Sequence, residues 1–221
     1  MSFNPKVGKT TQYSQLIDYK ESEGHHTFSV KKPHLRYLNE FVGLKCAPEL
    51  LELEVFPNAK EITESFAAYR AVKRNLNLDL GDPRVLVVCV GDGSTPRTGA
   101  TFAFMSKWTA VSIDPAMREH VVKKMNKAVR RLLCVSGKIE DGLVHPSPHT
   151  FHTIVVVCVH SHAPFEATLE ATKPDTSRGQ IRHLVSLPCC TRTWLDREPD
   201  IQYDDWGIFS PERAVMIWKD V

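Results

Sequence analysis

The sequence predicts a doubly wound, mostly parallel α/β sheet folded as one globular unit. Val85–Val90 is an unbroken apolar run, and 152–159 (HTIVVVCV) is nearly another; such runs mark strands covered on both faces. Between the apolar runs the periodicity switches to helical spacing, the alternation that a parallel sheet with crossover helices requires. Gly91 and Gly93 close the first run, and Asp114 closes the next strand about twenty residues later. Glycines let a ligand approach the backbone, and an acid at that strand end is placed to accept hydrogen bonds from both hydroxyls of a ribose.

At 221 residues and 42% hydrophobic content the chain can bury one core with a modest extension. A formal charge of +2 gives no global field toward nucleic acid or membrane, so only local basic clusters can argue for such a partner. No apolar run approaches the roughly eighteen to twenty residues of a membrane span, and MSFNPKVGKTTQ lacks a signal-peptide layout. The expectation is a soluble cytoplasmic protein with no membrane partner. Cys89, Cys134 and Cys158 fall inside expected strands, where thiols pack as small apolar groups, and a disulfide framework is not expected.

Taken in order, residues 1–32 read as irregular. VGKTT at 7–11 imitates a phosphate-binding loop, but Phe3 stands where the loop's first glycine belongs and no strand precedes it. Residues 33–76 read as helical. The strongest helix is capped by Asn58 with Glu61 three residues on, and repeats Ile62, Phe66, Tyr69, Val72 and Leu76 on one face. Lys60, Glu64, Arg70, Lys73 and Arg74 on its other face read as solvated. A Gly81-Asp82-Pro83 turn leads into the central strand. Residues 1–80 thus form an irregular and helical extension, and 81–221 the α/β domain.

Past Val111–Ile113 and Asp114, a helix is expected over 116–131, with Met117, Val121, Met125 and Val129 inward. Its basic line of Lys123, Lys127 and Arg131, backed by Lys124 and Arg130, is either a solvated face or a contact for phosphates. A strand over 132–136 runs into Gly137, the 152–159 strand ends in His160-Ser161-His162-Ala163-Pro164, and a helix follows over 165–172. A fifth strand over 181–187 ends in Pro188-Cys189-Cys190. Residues 191–211 read as turns, and 214–218 as the last strand.

On these residues the chain resembles the class I S-adenosylmethionine-dependent methyltransferases over roughly 82–221. VLVVCVGDG at 85–93 resembles the family's first motif, Asp114 its ribose-binding acid, 137–141 its adenine loop, and HSHAP its substrate-facing segment. The resemblance implies S-adenosyl-L-methionine as cofactor, held by Gly91, Asp92, Gly93, Asp114 and either Glu140 or Asp141. Ser94 and Arg97, in the turn after Gly93, are in reach of the cofactor carboxylate or of a phosphate, and Arg97 reads equally as a solvated loop charge. The family's acid near the end of the first strand is replaced here by Cys89 or Val90, which leaves Asp92 as the substitute, and Lys138 stands at the usual adenine acid. About twenty residues separate Cys190 from the last strand, too few for a helix and a sixth strand, so a trimmed C-terminal part is expected. A nicotinamide-dependent oxidoreductase is the competing reading. It needs a third glycine for close helix packing where Pro96 stands.

In the class I strand order, His160, His162, Cys189 and Cys190 meet at the rim of the cleft. A histidine there suits a general base, and a cysteine suits a nucleophile toward a pyrimidine, as in cytosine-5 RNA methyltransferases. The same four side chains also match a closed zinc site in identity but not in spacing, and no metal is assigned. With the basic line and a cluster of Lys31, Lys32 and Arg36, RNA is the expected acceptor. A small molecule is the alternative acceptor, and a catalytically silent interaction protein the alternative role.

Overall fold

The computed structural model describes residues 17–22, 25–30, 35–142, 151–189 and 197–221. The phosphate-loop imitation at 7–11, the basic pair Lys31 and Lys32, and Cys190 lie outside the described residues. An antiparallel hairpin, β1 (Ile17–Ser22) and β2 (His25–Val30), stands where the sequence reads as irregular. Helices α1 (Arg36–Val42), α2 (Ala47–Glu52) and α3 (Ala59–Asn75) follow. Asn58 caps α3 as expected, its side chain accepting from the Glu61 N–H at 3.1 Å.

The α/β portion runs β3 (Val85–Val90), α4 (Arg97–Met105), β4 (Thr109–Ile113), α5 (Glu119–Ala128), β5 (Leu132–Val135), β6 (Thr153–Val159), α6 (Phe165–Ala171) and β7 (Ile181–Leu187). It closes with β8 (Ile201–Asp204) and β9 (Ala214–Trp218). Seven strands form one sheet in the order β5-β4-β3-β6-β7-β9-β8. Strands β5, β4, β3, β6 and β7 are mutually parallel, and β9 runs antiparallel to both β7 and β8. The chain winds outward from β3 to β5, then returns to β6 on the other side of β3, so strand order reverses between β3 and β6.

The apolar run of β3 divides by strand periodicity. Val85, Val87 and Cys89 join the core under α1 to α5, while Leu86, Val88 and Val90 join a second core with Ile139, Phe165 and Trp218. Both faces are covered, which is why the strand carries no polar side chain. The C-terminal part keeps both strands of its hairpin. The sixth strand, which the sequence reading does not include, is the four-residue β8, and among the described residues no helix joins β7 to it.

Helix α3 departs from its sequence reading. Every residue from Ile62 through Tyr69 is buried, Glu64 included, because α3 packs on the sheet with one side and meets α4 and the carboxyl ends of the strands with another. Of the polar residues read as solvated, Glu64 alone is buried, beside His160 at the cleft, while Lys73 and Arg74 are exposed as expected. Arg70 does reach the surface, where it pairs with Glu40 of α1.

Candidate functional site

In open α/β sheets ligands bind outside the carboxyl ends of the strands, where strand order reverses. A cavity of about 360 Å³ lies there, lined by the ends of β3 (Val90, Gly91), β4 (Ile113 to Pro115), β5 (Gly137 to Glu140) and β6 (His160, His162 to Pro164). The sequence-predicted residues Gly91, Asp114, Glu140, His160 and His162 all line it.

Gly91 turns the chain at the end of β3 with φ of +73°, and a Cβ there would come within 2.4 Å of Ser161 Oγ. The turn and the β6 end therefore approach more closely than a side chain would allow. Gly93, at φ of +84°, donates its N–H to Asp114 Oδ2 at 2.8 Å, and Ala116 donates to Oδ1 at 2.6 Å. This clamp fixes the carboxylate at the cavity wall. Each oxygen retains a second lone pair for a ligand hydroxyl.

Asp92 between the glycines points the other way. It is buried and accepts from the N–H groups of Thr98 and Gly99, both at 2.9 Å, and from Ser112 Oγ at 2.7 Å. Its carboxylate thereby satisfies the first turn of α4, which has no side-chain cap of its own. Burial pushes its pKa up while those hydrogen bonds, chiefly that from Gly99, oppose the rise. It does not line the cavity, and neither do Ser94 or Arg97. Arg97 folds back over Gly93, about 3 Å from where a Cβ would stand, and its guanidinium lies 2.9 Å from Glu61 Oε2 of α3. Glu140 lines the cavity, whereas Asp141 turns back toward the Lys138 N–H.

At the opposite wall the two histidines serve different partners. His162 is exposed, with Nε2 3.0 Å from Cys189 Sγ at the end of β7, so a thiol and an imidazole able to accept its proton stand in contact. His160 is largely buried at φ of +52°, a conformation uncommon for a residue with a side chain. Its Nε2 lies 3.3 Å from Glu64 Oε1, which also lies 2.7 Å from Lys60 Nζ. Burial, assisted by Lys60, lowers the imidazole pKa to about 4, so the ring is neutral at pH 7 and its contact with Glu64 is not an ion pair. With the rings turned apart, they do not converge as the zinc alternative requires. Among the described residues no group of three or more His, Cys, Asp or Glu side chains is arranged to hold a metal ion.

The sequence reading missed Glu61 and Glu64. The run Lys60, Glu61, Glu64 holds opposite charges at one-turn spacing, which is equally the signature of a solvated helix face. Burial of Thr63 and Ser65 beside them is the distinguishing property, and spacing alone does not report it.

Counted along the sheet from β3, the strand order is 3-2-1-4-5-7-6 with the seventh strand antiparallel. This is the class I methyltransferase fold. No protein-family model and no curated protein matches the chain. Among solved structures it is similar to a point mutant of MtNAS in complex with S-adenosylmethionine, at 12% identity over 85% of this chain and 72% of that one, with a TM-score of 0.49. It is also similar to a SAM-dependent methyltransferase from Aquifex aeolicus, at 15% identity over 79% of this chain and 98% of that one, TM-score 0.42. A third is the Pyrococcus abyssi tRNA (uracil-54, C5)-methyltransferase in complex with S-adenosyl-L-homocysteine, at 13% identity over 93% and 44% of the two chains, TM-score 0.42. The methyltransferase fold rests on the strand order and register of the chain itself, which are independent of those similarities.

Proposed function

We propose that the chain is an S-adenosylmethionine-dependent methyltransferase whose acceptor is RNA. The observation that carries the donor is the cavity at the point of strand reversal, of a size for a nucleoside, with the clamped carboxylate of Asp114 at its wall. Asp114 would hold the ribose hydroxyls, Glu140 would face the adenine, and the backbone at Gly91 and Gly93 would lie against the methionine part. Ser94 and Arg97 stand beyond the turn as partners for its carboxylate, Arg97 on release from Glu61. Asp92 acts in this reading by holding the turn onto α4. The donor supplies a methyl group already activated on a sulfonium.

The acceptor side is supported by the Cys189 and His162 pair, since a thiol beside an imidazole is readily converted to the thiolate that adds to a pyrimidine ring. Exposed Lys127 and Arg130 of the α5 segment remain for phosphates. Lys123 is paired with Glu119 and Lys124 with Glu54, and Arg131 donates to the carbonyls of Ala103 and Ser106, so much of the expected basic line has protein partners.

Calorimetry with S-adenosylmethionine and with NAD tests the donor. Binding of the first alone is expected, weakened about 10- to 100-fold by Asp114→Ala, the equivalent of one or two charge-assisted hydrogen bonds. No binding of the methyl donor sinks the enzyme and favours a silent interaction protein. Labelled donor incubated with total cellular RNA tests the acceptor, and label found only in small metabolites removes RNA while leaving methyl transfer in place.

A further inference from the structure

We propose that Glu64 is the positioning residue for a general base, His160, that takes the proton displaced from the methyl acceptor. The inference rests on the methyltransferase reading and adds to it a residue from α3, outside the segment in which the sequence carries the donor motifs. Three independent features of the geometry support it.

His160 occupies a left-handed backbone conformation at the strand end that lines the donor cavity. Such conformations persist in non-glycine residues where the surroundings hold them, and they cluster at functional sites. The turn removes the ring from the β6 face and directs it to α3. Next, the ring's Nε2 is buried and makes no well-aligned hydrogen bond among the described residues, and Glu64 Oε1 lies 3.3 Å from it. A neutral imidazole beside a carboxylate is stable only with its N–H directed at that carboxylate, which leaves the lone pair on Nδ1. Finally, Glu64 is itself fixed: it is 1% exposed, is held by Lys60, and sits on a capped helix of seventeen residues packed against α4 and the sheet. A carboxylate so placed sets the tautomer and orientation of the ring.

The charged groups around the ring come from every neighbouring segment. Lys60, Glu61 and Glu64 face it from α3, Arg97 from α4, and Glu212 from the turn before β9, while His162 and Cys189 pair with each other nearby. Lys60 and Arg97 disfavour the imidazolium, and Glu61 and Glu212 favour it. The base is therefore unprotonated and available across the neutral range. In the step itself, with the thiolate added to the pyrimidine, the activated ring carbon forms the bond to the methyl carbon and the sulfonium's sulfur–carbon electrons return to sulfur. The proton that this ring carbon then loses passes to His160, its bonding electrons re-form the ring double bond, and the thiolate leaves with the electrons of its bond to the ring.

Two measurements decide this, and only one needs an acceptor. Nitrogen-15 NMR of the imidazoles, with the His160 signals assigned by their loss in His160→Asn, should show the Nε2–H tautomer at pH 7; the Nδ1–H tautomer overturns the proposal. Asparagine tolerates the left-handed backbone, so that variant keeps the turn. In the methyl-transfer assay, Glu64→Gln should lower kcat on the order of 10²-fold, as for loss of a positioned base, with donor affinity unchanged, and Glu64→Asp should restore part of it. Parental kcat in a folded Glu64→Gln variant overturns the proposal. Donor calorimetry on the parent reports separately on the methyltransferase reading, whose failure is thereby distinguished from a wrong assignment of the base.

Discussion

His160 makes a measurable link between burial and pH. Its folded pKa is lowered from 6.5 to about 4, first by burial, so between those values the unfolded chain binds a proton that the native protein does not. Stability contributed by the neutral ring is complete above the unfolded pKa and is lost as pH falls through that window, by about 3 kcal/mol at most. Denaturant melts at pH 7, 6, 5 and 4 should show the fall, and His160→Asn should flatten it. A residual slope is expected from His183, also lowered by burial. An unchanged slope in the variant would show that the ring is not buried as described. At this scale the position of Asp114 is legible in the sequence, because an acid directly after an apolar strand stands at the strand's carboxyl end, where the cavity lies. Asp92 is legible as an acid in the turn but not in direction. Whether its carboxylate faces a ligand or the N–H groups of Thr98 and Gly99 depends on a rotation at two glycines that sequence does not encode.

The turn joining β3 to α4 sets how closely the elements approach. Gly91 combines a positive φ with Ser161 atoms at 2.4, 2.8 and 3.0 Å from where a Cβ would stand, the last belonging to the Ser161 backbone. Gly91→Ala should therefore destabilise by about 2 kcal/mol or more, read as a lowered denaturation midpoint with the m-value unchanged. Adding Ser161→Gly should recover only part of the loss, since it removes the side-chain collisions but leaves both the crowding by the Ser161 backbone and the strain at residue 91. Full recovery would mean that the strain is absent. Elements with two covered faces, such as β3 and β6, are legible as apolar runs. Strand β8 is not, because four residues at the sheet edge alternate between half-buried and exposed and carry two polar side chains, the same composition as a turn. The helix expected over 116–131 shrinks to Glu119–Ala128, as Arg118 is extended and Arg131 is drawn back to the carbonyls that end α4.

Across the whole molecule, the helices of the extension and the sheet share one core. Phe41 meets Phe66 edge-on at 5.9 Å, Tyr69 meets Phe102 at 5.5 Å, and Phe102 stacks on Trp108 at 6.1 Å, ring pairs that join α1 to α3, α3 to α4, and α4 to the start of β4. Tyr37 donates to the buried carboxylate of Asp205 at 2.5 Å, and Arg36 pairs with the same group, joining α1 to the C-terminal hairpin across 168 residues of sequence. Such pairings join surfaces that are each legible as apolar or charged, yet nothing local names the partner. They lead to a prediction about the fragment 81–221, which contains all seven strands of the sheet. Without α3 its face loses Phe66, Tyr69, Val72 and the other side chains that cover β6, β7 and β9. Each large side chain contributes about 1.5 to 3 kcal/mol, so three or four consume the roughly 5 to 15 kcal/mol by which a domain is ordinarily stable. Asp205 would also lose Tyr37 and Arg36, the contacts that tie the C-terminal hairpin to α1. The fragment should show strand and helix by far-ultraviolet circular dichroism but no cooperative melt, and it should bind a dye for exposed apolar surface. A sharp thermal transition in the fragment would show that the sheet is stable alone and that α1 to α3 are an accessory layer.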